Sequence, residues 1–263
     1  TNPPGITPTR GGTLEFDETL FNLTASYDVT SELQIYGGFS QGFTVADIGR
    51  SLTDQSFATL QSVESEAQRT DNFEIGMRYQ GGNWDGTLVG FISDSDNGSS
   101  FDPETLAIRK QPERIKGIEA TANFYASERL RFGGTLTYLE GEVDTNDDGT
   151  FDEDLPTTRI PPLKLTAYAD MQVTDKWRAR IQALYSGTRS PNSTAFGGTS
   201  DIDSYVVVDA FSTFDVGPGQ LNVGIKNLLN RDYTPVINQA YDSSFAYARA
   251  PGRTVFMQYR MEF

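Results

Sequence analysis

Hydrophobic and polar residues alternate with a period of two through most of the chain, as they do where successive side chains of a strand point to opposite faces. Phe21, Leu23, Ala25 and Tyr27 stand against Asn22, Thr24, Ser26 and Asp28. Phe73, Ile75, Met77 and Tyr79 stand against Glu74, Arg78 and Gln80, and Leu163, Leu165, Ala167, Ala169 and Met171 against Lys164, Thr166, Asp170 and Gln172. Trp177, Ala179, Ile181, Ala183 and Tyr185 repeat the pattern, and Val255, Met257, Tyr259, Met261 and Phe263 close it. About eleven such segments can be counted. Helical periodicity is nearly absent, with room for only a turn or two of helix within 44–68.

The connections alternate as regularly as the side chains. Short ones fall at Thr30-Ser31, Gly81-Gly82-Asn83, Ser127-Glu128, Thr174-Asp175 and Gly217-Pro218-Gly219. Long polar ones cover 44–68, 95–108, 143–159, 187–203 and 229–252. Short turns on one rim and long loops on the other predict an all-β, antiparallel, up-and-down sheet. The apolar face then either packs in the core of a soluble sheet or meets lipid. Most segments alternate for about the ~9–11 residues a tilted bilayer-spanning strand needs, against the ~5–6 usual in soluble domains. Tyr27, Tyr79, Trp84, Phe124, Trp177 and Phe214 lie on the apolar face beside the short turns, and both tryptophans follow such a turn closely. Amphipathic rings favour the headgroup level, so a band of them at one height predicts a membrane girdle.

Composition narrows the chemistry. With no cysteine and no histidine among 263 residues, thiol catalysis, a histidine relay and the usual zinc sites are excluded, and no enzyme activity is expected. The lack of a histidine base also disfavours an outer-membrane hydrolase. A net charge of −15, from 36 acidic and 21 basic residues, disfavours nucleic acid as a partner. No apolar run approaches the ~20 residues of a membrane-spanning helix, which leaves barrel strands untouched. One acidic stretch has metal-ligand spacing. Asp144, Asn146, Asp148, Thr150 and Asp152 occupy positions 1, 3, 5, 7 and 9 of a calcium loop, with Gly149 at the sixth. Leu155 stands where a bidentate glutamate is expected, and Asp154 is the substitute available. Calcium at this loop is thus the one cofactor expectation; none is required.

Three passages carry a resemblance. Ser40-Gln41-Gly42-Phe43 with Arg69-Thr70-Asp71-Asn72-Phe73-Glu74-Ile75-Gly76-Met77-Arg78, then Val223 through Asn227-Leu228-Leu229-Asn230-Arg231-Asp232-Tyr233, then Gly252-Arg253-Thr254-Val255 through Phe263, occur in this order. Together they resemble the carboxy-terminal half of a TonB-dependent outer-membrane receptor, in the siderophore-receptor branch. The resemblance implies a barrel of ~22 strands around a plug, of which residues 20–263 are the last half and residues 1–19 the end of a preceding extracellular loop, with the plug and TonB box outside this sequence. It implies a Gram-negative-type outer membrane, with short turns periplasmic and long loops extracellular. It also implies active uptake of a ferric siderophore or similar metal chelate, with TonB acting through the plug. Arg189, Phe196, Tyr241, Phe245, Tyr247 and Arg249 are then the candidate ligand contacts, since guanidinium groups and flat rings suit an anionic chelate. Lys164, Arg178, Arg180, Lys226, Gln258 and Arg260 would line the lumen and grip the plug. Tyr259 and Phe263 resemble the terminal signal that barrel-assembly machinery reads. Two other readings fit the same alternation: a passive outer-membrane channel, and a soluble calcium-dependent β-sheet binding domain.

Overall fold

The structure, a computed structural model, describes residues 13, 15–45, 67–101, 108–193, 201–241 and 248–261. They form one antiparallel sheet: β1 (Asn22–Asp28), β2 (Leu33–Val45), β3 (Ala67–Gly81), β4 (Trp84–Phe101), β5 (Ile108–Ser127), β6 (Leu130–Val143), β7 (Glu153–Asp154), β8 (Lys164–Thr174), β9 (Trp177–Ser186), β10 (Tyr205–Val216), β11 (Gly219–Lys226) and β12 (Thr254–Met261). Each strand pairs with its neighbour in sequence, except that the two-residue β7 lies off the path against β6, so that β6 continues to β8. The meander expected from the alternation is therefore present, with one extra short strand. Among the described residues the sheet has two edges, β1 and β12.

Two sequence expectations need correction. Within 95–108, Ser95 and Gly98–Phe101 continue the hairpin, because β4 and β5 pair out to Phe101 and Ile108 across a register shift between Ser95 and Gly98, while 102–107 lie outside the described residues. The apolar alternation stops there while backbone pairing does not, since both faces have left the apolar zone. The helix found among the described residues, α1 (Val236–Ala240), lies in the last long connection. The 46–66 segment, where a turn of helix was expected, lies outside the described residues.

Among the described residues nothing covers the apolar face. Leu23, Ile75 and Met257 are 74%, 72% and 73% exposed. Val143, Leu155, Ile160, Ile202 and Ala240 are buried, as are Pro156 and Pro162, all at the long-loop end. A soluble sheet could not leave its greasy face so open, because large exposed apolar patches drive association. The face is also continuous: Trp84, Phe124, Phe132, Ala169, Ile181, Ala210, Ile225 and Val255 are register partners in turn across eight neighbouring strands. That row begins beside a short turn and ends beside a long loop, which is the stagger of tilted barrel strands. On β4 the outward positions Trp84 to Ile92 are apolar or glycine, and Asp94 and Asp96 follow. About nine residues at ~3.3 Å each, tilted by ~40°, span roughly 23 Å, close to the ~25 Å apolar band of an outer-membrane barrel.

The opposite face is a polar network. Thr87 and Thr121 hydroxyls lie 2.9 Å apart, and those of Thr135 and Thr166 2.7 Å. Arg131 donates to Asp170 at 2.6 Å, and the Arg180 guanidinium sits 4.1 Å from the Tyr168 ring centroid. Tyr168 lies across Gly133, where a Cβ would stand 2.4 Å from Asn123 Oδ1 and 2.5 Å from the Tyr168 ring. Gly133→Val is therefore expected to cost about 1–3 kcal/mol by overpacking, read as a lower urea midpoint of the folded protein in detergent micelles. An unchanged midpoint would mean that the inward face is loosely packed.

Candidate ligand site at the long-loop end

The 144–163 connection begins as a polar crest and ends as an apolar anchor. Asp144 is buried and accepts from the backbone N–H groups of Asn146 (3.2 Å), Asp148 (3.2 Å) and Gly149 (2.7 Å). Asn146 Oδ1 accepts from Asp148 N–H at 3.1 Å, and Asp148 Oδ1 from Thr150 N–H at 2.8 Å. Asp152 accepts from both the hydroxyl and the N–H of Thr145, which hold its carboxyl below the usual value. Such turns are what Asp and Asn side chains make with the N–H two residues on, and Asp147 and Gly149 supply the left-handed backbone (φ 58° and 86°). Asp154 accepts from Asn192 N–H at 2.8 Å and so ties this loop to the next. Among the described residues no group of three acidic side chains is placed to hold a metal ion.

The second half of the connection folds inward. Leu155 and Ile160 pack with Val143 in a buried cluster, against Ile115 and Leu139. Register puts Ile115, Leu139 and Val143 on the same face as the polar network, so the loop is pinned across the mouth of the inward face. Arg159 reinforces it with two donations to the buried Glu113, at 3.2 and 2.6 Å. Gly141 permits the approach, because a Cβ there would lie 2.6 Å from Ile160.

At the same end, the start of β10 and the 227–241 segment border an open cavity of about 470 Å³ whose lining includes Asp201, Asp203, Tyr205, Arg231, Tyr233 and Arg249. Asn227 organises it. In the left-handed region (φ 51°) and buried, it accepts from Arg231 N–H at 2.7 Å and donates to Arg231 O at 2.8 Å and Pro251 O at 3.2 Å. The bend sets Tyr233 on Tyr205, with ring centroids 4.5 Å apart. Burial, with Tyr205 and Asp209 nearby, pushes the Tyr233 hydroxyl pKa up. Paired rings, guanidinium groups and carboxylates on one concave wall can grip a flat, charged chelate.

The expected ligand contacts fall unevenly. Arg249 lines the cavity and pairs with Asp232. Tyr241 ends α1 and is exposed, away from the cavity lining. Arg189 turns toward the wall instead: it bridges to Ile202, donates to Leu139 O at 3.4 Å, and keeps Nε buried. That burial lowers its pKa. Phe196, Phe245 and Tyr247 lie outside the described residues, as does Phe263. Tyr205, Arg231 and Tyr233 were not singled out by the sequence; Tyr233 sat inside the passage read as a strand ending.

At the short-turn end, Tyr27, Tyr79, Trp84, Phe124, Trp177 and Phe214 share the outward face. Trp84 meets Phe124 at 4.6 Å and Trp177 meets Phe214 at 5.7 Å. Tyr259 donates to Val216 O at 2.9 Å. On the inward face of that end a second cavity, about 570 Å³, is lined by Arg131, Asp170, Arg178, Arg180, Gln220 and Asn222.

Comparison with known proteins agrees with this architecture. The family described as TonB dependent receptor-like, beta-barrel matches residues 1–228. The ferric aerobactin receptor of Klebsiella pneumoniae is 27% identical over 245 residues, which is 87% of this chain and 32% of that protein. The rhizobactin receptor of Rhizobium meliloti is 28% identical over 244 residues, 86% of this chain and 31% of that protein. Among solved structures, the copper transporter OprC superposes with a TM-score of 0.75 at 17% identity, over 90% of this chain and 38% of that one. The chain thus spans about a third of the length of the curated relatives it matches. Twelve antiparallel strands with an exposed apolar face, together with a family match over most of the sequence, place this chain in the TonB-dependent receptor β-barrel family.

Proposed function

We propose that this chain is part of an outer-membrane receptor that imports a ferric siderophore, with energy delivered by TonB through a plug supplied by the rest of the polypeptide. The observation that carries the reading is the two-faced sheet. Its outward side is apolar and exposed, its inward side polar, and the long-loop end carries an inward-folded loop and a cavity with paired tyrosines and arginines. Two relatives are named as ferric aerobactin and rhizobactin receptors, which supports an iron chelate as the cargo. Unpaired edges cannot stand in hydrocarbon, so β1 and β12 are to be closed by strands outside this sequence. The arginine-lined cavity at the short-turn end is the surface on which the plug is gripped. Tyr259 and Phe263 are read by the barrel-assembly machinery of a Gram-negative-type cell.

In this arrangement the 205–249 cavity binds the chelate from outside. The guanidinium groups supply directed donors and the rings supply flat contact. Removing both cations by Arg231→Ala with Arg249→Ala is expected to weaken ferric-siderophore binding by roughly tenfold or more, as charge-assisted hydrogen bonds are worth ~1.5–3 kcal/mol. Iron-limited growth on one siderophore should require the intact gene and TonB. Normal growth on every siderophore after deletion would overturn the iron assignment, and ion conductance without TonB would favour a passive pore.

A further inference from the structure

On the inward face of the short-turn end, positive charge gathers and is left over. Glu128, Arg129, Arg131, Asp170, Arg178 and Arg180 are the charged side chains around the cavity of about 570 Å³ there, so that four cations meet two acids. Arg129 pairs at 3.1 Å with Asp175 in the neighbouring turn. Arg131 and Arg180 converge on one carboxylate, that of Asp170, at 2.6 and 3.4 Å. The Tyr168 ring holds both guanidinium groups, whose central carbons lie 5.4 and 4.1 Å from its centroid. Even so, Arg180 Nε is buried without a hydrogen-bond partner among the described residues. Arg178 has no acidic partner among those residues. Register sets it between Gln172 and Thr213, neither of which can neutralise it. Asp215, two positions beyond Thr213, accepts instead from Gln220 at 2.9 Å. Along the same row Asn222 and Gln258 are neutral, and Arg260 beside Gln220 adds a further cation to the wall.

We propose that this wall docks an acidic segment of the plug, one carboxylate of which enters the cavity and accepts from Arg178 and from Arg180 Nε. The inference rests on the reading above that the rest of the polypeptide fills the barrel, and it adds the place and the chemistry of one contact. A guanidinium that protein covers loses its water and must find a counter-charge. Arg131 and Arg180 share a single acid and Arg178 has none within the described sheet, so the counter-charge is brought by the segment that covers them. Guanidinium groups steadied on a ring suit a carboxylate, which takes their N–H donors in directed pairs. A basic segment would instead add like charge to the excess already on the wall, and an apolar one would strand Arg178 without water or partner.

The test is made on the full-length protein in cells, with a photoreactive benzoylphenylalanine in place of Asn222, a neutral residue of the cavity lining. The cross-linked peptide, identified by mass spectrometry, is expected to come from outside residues 1–263 and to carry an Asp or Glu at or beside the linked position. In the purified protein, Arg178→Glu should then speed amide exchange of that peptide at least roughly tenfold, the loss of a charge-assisted contact. Heat-modifiable mobility checks that the barrel itself stays folded. Changing the identified acid to lysine in the Arg178→Glu background should bring exchange back to within about threefold of wild type, as a reciprocal swap of two coupled charges does. A linked peptide without a carboxylate, links confined to residues 1–263, or exchange indifferent to Arg178→Glu would overturn the docking site. No chelate enters these readouts, so normal growth on every siderophore after gene deletion overturns the cargo reading alone.

Discussion

Leu88→Arg is expected to destabilise the membrane-embedded protein by about 2–4 kcal/mol, the cost of an arginine on the lipid face near the midplane of a barrel. Leu88 sits at the centre of the outward series Trp84 to Ile92, is 42% exposed, and has Met77 and Ala120 as register partners. Its neighbour Thr87 points the other way and hydrogen-bonds to Thr121 across the polar face. Thr87→Arg should therefore cost under about 1 kcal/mol, because a long cation on a wet face keeps its water. Folding titrations in urea into lipid vesicles give both values. If the two substitutions cost the same, the two faces do not see different solvents.

Leu155→Ala is expected to release the 144–163 loop. The side chain is fully buried, and the cluster that holds the loop consists of Leu155, Ile160 and Val143 on the flank of Ile115 and Leu139. Truncating a buried leucine costs about 2–5 kcal/mol, and so small an anchor has no further core to share the loss. Amide exchange in residues 144–163 should accelerate by at least roughly 30-fold while the strands beneath are unchanged. Protection that stays at the wild-type level would show that the Arg159–Glu113 pair and the Asp144 turn suffice alone.

The alternation revealed the sheet because lipid imposes it. Where the outward face meets hydrocarbon, each strand must be greasy at every second position, so the phase of β3, β8, β9 and β12 was legible residue by residue. Above the band that demand disappears. The paired stretch from Ser95 to Phe101 consequently reads as a loop in sequence, although its backbone pairing continues. The loop anchor was hidden for a related reason. Leu155 and Ile160 are scattered among prolines and threonines behind an acidic run, with no period to mark them. That acidic run also carries two meanings at once: Asp and Asn at alternate positions before glycine suit a cation loop, and they equally suit a ladder of side chains accepting the N–H two residues on, which is what Asp144, Asn146 and Asp148 do here. Arg249 was reachable as a loop cation, whereas its cavity partners Tyr205 and Tyr233 meet only through the bend at Asn227.

The orientation of the sheet can be read one residue at a time. The chain has no cysteine, so single cysteines introduced at each position from 84 to 92 can carry a spin label in the reconstituted protein, scored for collision with oxygen dissolved in lipid and with a water-soluble nickel complex. Oxygen contact is predicted to peak at 84, 86, 88, 90 and 92, and nickel contact at 85, 87, 89 and 91. The opposite phase, or no alternation over these nine sites, would contradict an apolar face that looks into the membrane.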